Sequence, residues 1–479
     1  MKRILLIRTF KLLGAGGPIP PLGLLYISSA IKKAFGTQYE VKILDTGTGG
    51  SNPDDIKRCL RQFNPNIIGL SALSCEADLM QEIVSTSRSV IAGCKIIIGG
   101  PHATVSGDSL LADKNIDYVV MGEGENTIVE LLKALDNPGA LGSIKGIAYR
   151  ENDKIRLNSP REYISEPDEI PFPDWGLIDL KQYSGYPNWN GLQRQYLYAP
   201  VLTSRGCPYK CIYCHNIFGK KVRMRSPENV LQEMMLLFKE YGIKEFHFVD
   251  DIFNYDSERS KRLCSMIIAS RVKVSLAFPN GLRADNIDDE LITLLKKAGT
   301  YKINFGFETA TPRLQAMIKK DLDINMAHNT VKRVSGAGIM TGGYFMFGFP
   351  TQTREEILQT IDFAVNSVLD NAYFFKVTPY PGSELYDSIF GSRRPDSPDT
   401  LNDLHFFSVN RSYAQTPPEE LNDLILQAQQ KFYLHPRRLL RILFKSSHKW
   451  LFLRTAFNAA CVLLQSFLLR KLAKNLSLL

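Results

Sequence analysis

What the 479-residue chain lacks narrows its class. It has no run that reads as a membrane span: the uncharged stretch 455–469 is fifteen residues, short of the ~20 a spanning helix needs, and Asn458 and Gln465 weaken it further. Its N-terminus lacks a signal-peptide pattern, because Lys2 and Arg3 precede only four apolar residues before Arg8, so this segment reads as a first strand. Cysteine is sparse, eight in all, and Cys59, Cys75, Cys94, Cys264 and Cys461 are scattered in mostly apolar surroundings. Such residues are expected as buried free thiols in a reducing cytoplasm, not as a disulfide framework. Acidic charge is missing from the C-terminal tail: from Lys431 onward there are ten Lys or Arg and no Asp or Glu, so without the tail the net +9 becomes −1. A body that close to neutral argues against a nucleic-acid partner. No hydrolase triad, Walker loop or His-rich metal site is present.

Against these absences stands one dense feature, the run Arg205-Gly206-Cys207-Pro208-Tyr209-Lys210-Cys211-Ile212-Tyr213-Cys214. Three thiolates within eight residues can close on one metal centre from a single loop. A structural zinc would need a fourth ligand, and His215, directly beside Cys214, is sterically awkward for it. A disulfide would leave an odd thiol. An iron–sulfur cubane is normally held by four cysteines, so three leave one iron open to bind a substrate or cofactor directly. The cluster reading outweighs the other two. With Tyr213 as the aromatic, Cys-x3-Cys-x-aromatic-Cys resembles the signature of the radical S-adenosylmethionine enzymes. That resemblance implies a [4Fe-4S] cluster on Cys207, Cys211 and Cys214, with S-adenosylmethionine chelating the fourth iron and an external electron donor driving its cleavage to a 5′-deoxyadenosyl radical.

Residues 1–150 alternate short apolar runs with amphipathic segments. Strands are expected at 4–7, 41–44, 67–70, 95–98 and 118–121, with helices such as 24–33 and 79–92. Continuous apolar strands between helices predict a doubly wound parallel sheet, which binds ligands beyond the carboxyl ends of its strands. Four loops there carry glycine or serine: Gly14-Ala15-Gly16-Gly17-Pro18, Ser71-Ala72-Leu73-Ser74, Gly99-Gly100-Pro101-His102-Ala103-Thr104 and Gly122-Glu123-Gly124-Glu125. Any one alone reads as a tight turn; four together favour a binding face. With Pro20-Pro21-Leu22-Gly23-Leu24, they resemble the Rossmann-like cobalamin-binding domain that precedes many radical S-adenosylmethionine cores. The resemblance implies cobalamin contacts at Ser71, Ser74, Gly99, Gly100, His102, Thr104, Gly122 and Glu123. No Asp-x-His-x-x-Gly occurs, so the histidine ligand to cobalt known from that motif is absent; His102 is expected to hydrogen-bond as a neutral loop residue.

Residues 151–195 read as a proline-broken connector in which Trp175 anchors packing. Residues 196–400 repeat the alternation, with strands expected at 200–203, 245–249, 274–278, 302–305, 340–347 and 372–377 and helices at 227–241, 257–270, 288–298, 325–337 and 354–367. Six units suit an open (β/α)6 partial TIM barrel, the core of the family resembled, with chemistry at the strands' carboxyl ends. The paired acids Asp250 and Asp251 end the second strand, and the resemblance implies that one binds the cofactor's amine; the other can cap the next helix. Glu308 ends the fourth strand, where it implies a ribose contact; the plain alternative is a salt bridge to a neighbouring Lys or Arg. Gly348, in Met346-Phe347-Gly348-Phe349-Pro350, resembles the adenine-side segment, and Tyr213 is carried over as a cofactor neighbour. Pro379-Tyr380-Pro381-Gly382-Ser383 resembles a segment that ends such cores.

Residues 401–479 are expected to be helical and basic. Within them 437–445 has the spacing of an amphipathic basic helix, and 431–479, with Trp450, reads either as packed on the protein or as lying in an anionic membrane surface. The expected function is methylation of an unactivated carbon of a small-molecule or lipid-like substrate, with methylcobalamin delivering the methyl group to a substrate radical. Radical cyclisation or rearrangement without methyl transfer is the alternative, and a non-catalytic cofactor-binding or sensor protein is the second. The expected location is cytoplasmic, with peripheral membrane contact through the tail.

Overall fold

The computed structural model describes residues 1–11, 17–49, 52–136, 138–184, 193–391, 411–445 and 449. The glycines Gly14 and Gly16, together with Trp450, Cys461 and the uncharged run 455–469, lie outside the described residues. Strands β1 (Lys2–Arg8), β2 (Tyr39–Asp45), β3 (Ile67–Ser71), β4 (Lys95–Gly99) and β5 (Tyr118–Val120) pair in parallel in the order β2-β1-β3-β4-β5. Between them run α1 (Leu22–Phe35), α2 (Pro53–Phe63), α3 (Ala77–Val90) and the short α4 (Gly100–Ser106), and α5 (Gly124–Ala134) follows β5. Strand β1 explains the double winding. Ile4 and Leu6 join the core with Leu25 of α1 and Leu131 of α5, while Leu5 and Ile7 join a second core with Leu60 of α2 and Ile83 of α3. Both strand faces are therefore buried, which is why no alternation appears in the sequence. The order reverses between β1 and β3, and sheets of this kind bind ligands beyond that switch point.

The sheet continues past the expected boundary at residue 150. Strand β6 (Ile147–Glu151) adds antiparallel to β5 and β7 (Lys154–Leu157) antiparallel to β6, the two joined by a turn in which Asn152 and Asp153 have φ of 49° and 60°. That boundary thus cuts a hairpin. Strand β7, Lys154-Ile155-Arg156-Leu157, alternates charged and apolar residues but is only four residues long and exposed throughout, so no buried apolar run marks it. In the connector, Trp175 is 1% exposed and Asp174 N–H donates to Leu25 O of α1 at 3.2 Å, so Trp175 is a packing position.

The second sheet holds β8 (Ala199–Val201), β11 (Glu245–Phe248), β12 (Ser275–Leu282), β13 (Thr300–Glu308), β14 (Met340–Phe347) and β15 (Asn371–Lys376), all parallel, in chain order and open at both edges. A two-residue ribbon, β9 (Ser204–Arg205) with β10 (Arg223–Met224), interrupts the first unit. Helices α6 (Pro227–Tyr241), α7 (Ser257–Ala269), α8 (Asp289–Lys297), α9 (Pro312–Met317), α10 (Ile324–Gly336), α11 (Arg354–Asn366) and α12 (Glu384–Phe390) intervene and follow. Along β13, Ile303, Phe305 and Phe307 enter the apolar core, leaving Lys302, Asn304, Gly306 and Glu308 for the opposite, inner side. This is the expected partial barrel.

Helices α13 (Pro418–Tyr433) and α14 (Pro436–Lys445) pack on the barrel. The basic helix α14 turns three of its four cations inward and leaves Arg437 exposed. Arg438, 3% exposed, donates to the carbonyls of Val365, Ser367, Leu369 and Phe432, while Arg441 and Lys445 pair with Asp370 at 2.7 and 2.9 Å. Leu440 and Phe444 face outward instead. Of the two readings of the tail, 436–445 takes the one packed on protein. No helix among the described residues is long and apolar enough to cross a membrane.

Candidate active site

The β9–β10 ribbon closes the root of the cysteine loop. Gly206 has φ of 91°, and a Cβ there would stand 2.4 Å from Lys221 O, so only glycine can end the ribbon this way. Cys207 N–H donates to Gly219 O at 3.2 Å and Cys214 N–H to Cys211 O at 3.2 Å. Between the second and third thiols, Ile212 is buried with Leu314, Ile318, Phe349 and Leu385. Its N–H donates to Ile318 O and its carbonyl accepts from Leu385 N–H, which pins the loop to the barrel. Cys207 and Cys211 are half-buried, Cys214 is exposed, and all three are free thiols. The Cys207 thiol is pushed above its ordinary pKa first by burial, then by Asp251 and Cys211. Among the described residues no three His, Cys, Asp or Glu side chains converge on one ion-sized point. A cubane does not require such convergence, since each thiolate reaches a different corner.

Cys207 and Cys214 open onto a cavity of about 350 Å³ also lined by Asp250, Asp251, Glu308 and Tyr344. Asp250 and Asp251 take different roles. Asp250, 2% exposed, accepts through Oδ1 from Thr203 N–H, Thr203 Oγ1 and Ser204 Oγ at 3.0, 2.8 and 2.6 Å, while its Oδ2 is buried with no protein partner. Burial pushes its pKa up. An orphaned carboxylate oxygen on a cavity wall fits a ligand donor such as an ammonium group. Asp251 sits on the open rim, 3.9 Å from His215 Nε2.

Glu308 takes φ of 63° at the end of β13 and pairs with Lys320 Nζ at 2.9 Å, which also stands 3.3 Å from Tyr213 Oη. The salt-bridge alternative for Glu308 is therefore present, beside its place on the cavity. A Cβ at Gly306 would lie 2.6 Å from Glu308 Oε1 and 2.8 Å from Lys320 Nζ, so the glycine makes room for the pair. Sequence reasoning missed Lys320, whose loop carries no periodicity. Gly348 stands outside the cavity lining: its φ is 103°, its N–H donates to Gln352 Oε1 at 2.8 Å, and a Cβ would meet Leu421 Cδ2 at 3.1 Å. Packing under α13 accounts for this glycine.

In the N-terminal domain, Ser71, Ser74, Gly99, Gly100, His102, Thr104 and Gly122 gather beyond β3, β4 and β5. A Cβ at Gly100 (φ 82°) would lie 2.4 Å from Ser71 Oγ, whereas one at Gly122 (φ 75°) would meet nothing within 4 Å. Open backbone of that kind fits a large cofactor lying across the strand ends. Thr104 Oγ1 donates to Gly100 O and accepts from Gly122 N–H. His102, 3% exposed, holds Nδ1 between Ser74 Oγ (3.3 Å) and Ser106 Oγ (3.2 Å), and burial lowers its pKa to about 4, so it is neutral. Glu123 departs from the expectation. Both of its oxygens are taken by Arg205, Arg223 and Ile164 N–H, so its side chain has nothing left to offer a ligand.

The carboxyl ends of the two sheets face each other. Tyr380, beyond β15, packs on Cys75 and Ala77, and a Cβ at Gly382 would lie 2.9 Å from Val105 of α4. Arg205 and Arg223 reach Glu123 and Glu125 across the same boundary.

Comparison with known proteins bears on both halves. Residues 201–364 match the radical SAM superfamily and residues 11–132 the B12 binding domain. An uncharacterized methyltransferase of Pyrococcus horikoshii is 31% identical over 452 residues, covering 91% of this chain and 92% of that one. Cytidylyl-2-hydroxyethylphosphonate methyltransferase of Streptomyces wedmorensis is 30% identical over 418 residues, covering 76% of this chain and 77% of that one. The solved structure of the radical S-adenosylmethionine methyltransferase TsrM from Kitasatospora setae, with cobalamin and a [4Fe-4S] cluster bound, matches with a TM-score of 0.69 at 18% identity over 96% of this chain and 100% of that one, which establishes a shared fold. The chain belongs to the radical S-adenosylmethionine superfamily, in the branch with an N-terminal B12-binding domain, and is an enzyme whose cofactors are a [4Fe-4S] cluster, S-adenosylmethionine and cobalamin.

Proposed function

We propose that the enzyme methylates a carbon of a small-molecule substrate held between its two strand-end faces. The apposition of those faces carries the reading: Tyr380 against Cys75 and Ala77, and Arg205 and Arg223 against Glu123, bring the cysteine loop and the cobalamin-domain loops to one boundary. Two reactive centres must reach one substrate, and such placement governs rate. When bound, the cluster with S-adenosylmethionine supplies a hydrogen-abstracting 5′-deoxyadenosyl radical and cobalamin supplies the methyl group.

The protein's own residues bind and orient. Cys207, Cys211 and Cys214 hold the cluster on a loop pinned by Ile212. Asp250 would accept the cofactor's ammonium through its free Oδ2, and Asp251 adds a second carboxylate to the cavity lining. Glu308, held in place by its pair with Lys320, would accept from the ribose hydroxyls. Ser71, Ser74, Gly99, Gly100, His102, Thr104 and Gly122 form the cobalamin face, where His102 orients two serines as a neutral acceptor or donor. An external donor provides the electron.

The test is anaerobically reconstituted enzyme with reductant and a small-molecule extract of the host, run in parallel with methyl-protiated and methyl-deuterated S-adenosylmethionine. The expected result is 5′-deoxyadenosine together with a product pair offset by the deuterium label. 5′-Deoxyadenosine without any labelled product would instead mean a radical outcome lacking methyl transfer, and neither 5′-deoxyadenosine nor labelled product would count against the proposal.

A further inference from the structure

A buried ion network roots the cysteine loop in the opposite domain. Arg205 and Arg223 pair in register across the β9–β10 ribbon, at the two ends of the segment that carries the three cysteines. Arg223 Nη1 stands 2.8 Å from both carboxylate oxygens of Glu123, and Arg205 Nη1 stands 3.0 Å from Oε1. Arg205 Nη2 meets Glu125 Oε1 at 2.5 Å. All four side chains are 2–8% exposed. Arg223 also donates through Nη2 to Phe218 O inside the loop and through Nη1 to Ile164 O, while Glu123 accepts from Ile164 N–H.

Such a network is a poor device for stability alone, because desolvating four charges offsets most of their attraction and apolar packing would hold the domains as well. What arginine adds is direction: Arg205 divides its two terminal nitrogens between Glu123 and Glu125, Arg223 divides its own between Glu123 and Phe218 O, and a planar guanidinium accepts one such arrangement. We infer that this network is a positioning device that sets the cysteine loop against the strand-end face of the N-terminal domain, and hence the spacing between cluster and cobalamin. It rests on the two-cofactor reading above. Arg205 stands two residues before Cys207, and Glu123 stands beside Gly122 of the cobalamin face, so no flexible segment separates the network from either cofactor.

The experiment uses holoenzyme loaded with cluster and cobalamin. Arg223→Lys keeps the charge and loses the second arm, the one that reaches Phe218 O inside the loop; Glu123→Gln keeps the shape and loses the charge. Arg438→Lys is the control, an equally buried cation whose bonds all go to the far side of the barrel. Iron and cobalamin per chain, melting temperature and the electron paramagnetic resonance of samples holding both the reduced cluster and paramagnetic Co(II) cobalamin are measured. The expected result is full loading in Arg223→Lys with a shift or loss of the cobalt–cluster spin coupling, the same in Glu123→Gln, and a lowered melting temperature with unchanged coupling in Arg438→Lys. Coupling that stays at the wild-type value in a fully loaded Arg223→Lys would overturn the inference, whatever happens to melting. Should Glu123→Gln not load, Arg223→Lys decides. A wild-type enzyme that shows the coupling yet transfers no label would count against methylation and leave this inference standing.

Discussion

Replacing Asp250 by Asn separates binding from folding at the cavity wall. The amide oxygen can still accept from Thr203 N–H, Thr203 Oγ1 and Ser204 Oγ, so the local scaffold persists. The amide nitrogen then occupies the place of Oδ2, the one oxygen the protein leaves unpartnered. An acceptor for the cofactor's ammonium becomes a donor pointed at a donor. Loss of one charge-assisted hydrogen bond is about 1.5–3 kcal/mol, which is roughly a 10- to 150-fold weaker Kd for S-adenosylmethionine. Folding stability should move by less than about 1 kcal/mol, because the buried carboxylate was itself unfavourable, as its raised pKa shows. The assay is calorimetric titration of anaerobically reconstituted protein with S-adenosylmethionine, beside a thermal melt. The raised pKa adds a second signature. Below it the carboxyl is neutral, so wild-type affinity should fall at a higher pH than an ordinary carboxylate would impose, and Asp250→Asn should lose that dependence. Unchanged affinity in Asp250→Asn, with the loss appearing in Asp251→Asn, would refute the assignment.

His102 supplies a stability test against pH. Its folded pKa of about 4 lies below the ordinary 6.5, so the unfolded chain binds the extra proton between those values and stability is lost as pH falls through that window. The loss should reach roughly 3 kcal/mol at the acid end, and denaturant melts of His102→Gln should show a flatter acid limb; an identical limb would refute the burial argument. Gly206→Ala forces a side chain into φ of 91° and against Lys221 O, so it should cost about 2 kcal/mol or more and lower iron content on reconstitution. Full iron content in that variant would show the loop root to be adjustable. Arg438→Ala strips four carbonyls of their donor and should destabilise by about 2–3 kcal/mol while leaving iron and cobalamin loading unchanged.

The parts of the site that were legible in the chain are those whose causes are local. Three cysteines in eight residues specify a loop whatever surrounds them, and the barrel strands announce themselves as short segments rich in apolar residues between helical patterns, observed within a few residues of expectation. Side-chain partnerships are another matter. Glu123 reads as a ligand contact because it stands between glycines, yet its partners Arg205 and Arg223 are 82 and 100 residues away. Asp250 and Asp251 are indistinguishable as adjacent acids until Thr203 and Ser204, 47 and 46 residues earlier, turn toward one of them. The helix α14 is basic and amphipathic on paper, but which side its cations face depends on Asp370 and the carbonyls of residues 365–369. Hairpin strand β7 escapes because every residue in it is exposed.

The facing of the two sheets also limits where specificity can reside. A cavity of about 350 Å³ beside Cys207 and Cys214 is at the small end of ligand sites, room for one ligand of the size of S-adenosylmethionine. Part of its wall is made of side chains already committed to one another: Asn304 Nδ2 donates to Tyr344 Oη at 2.6 Å, and Tyr344 stacks on Phe375 and meets Tyr373 at a tilt. The substrate site proposed above therefore lies beside that cavity, at the boundary with the N-terminal domain. The walls there are the loops that meet across the boundary, with Tyr380 against Cys75 and Ala77, and Gly382 against Val105. Substitutions in those loops can thus change the substrate without touching the cysteine loop or the barrel strands.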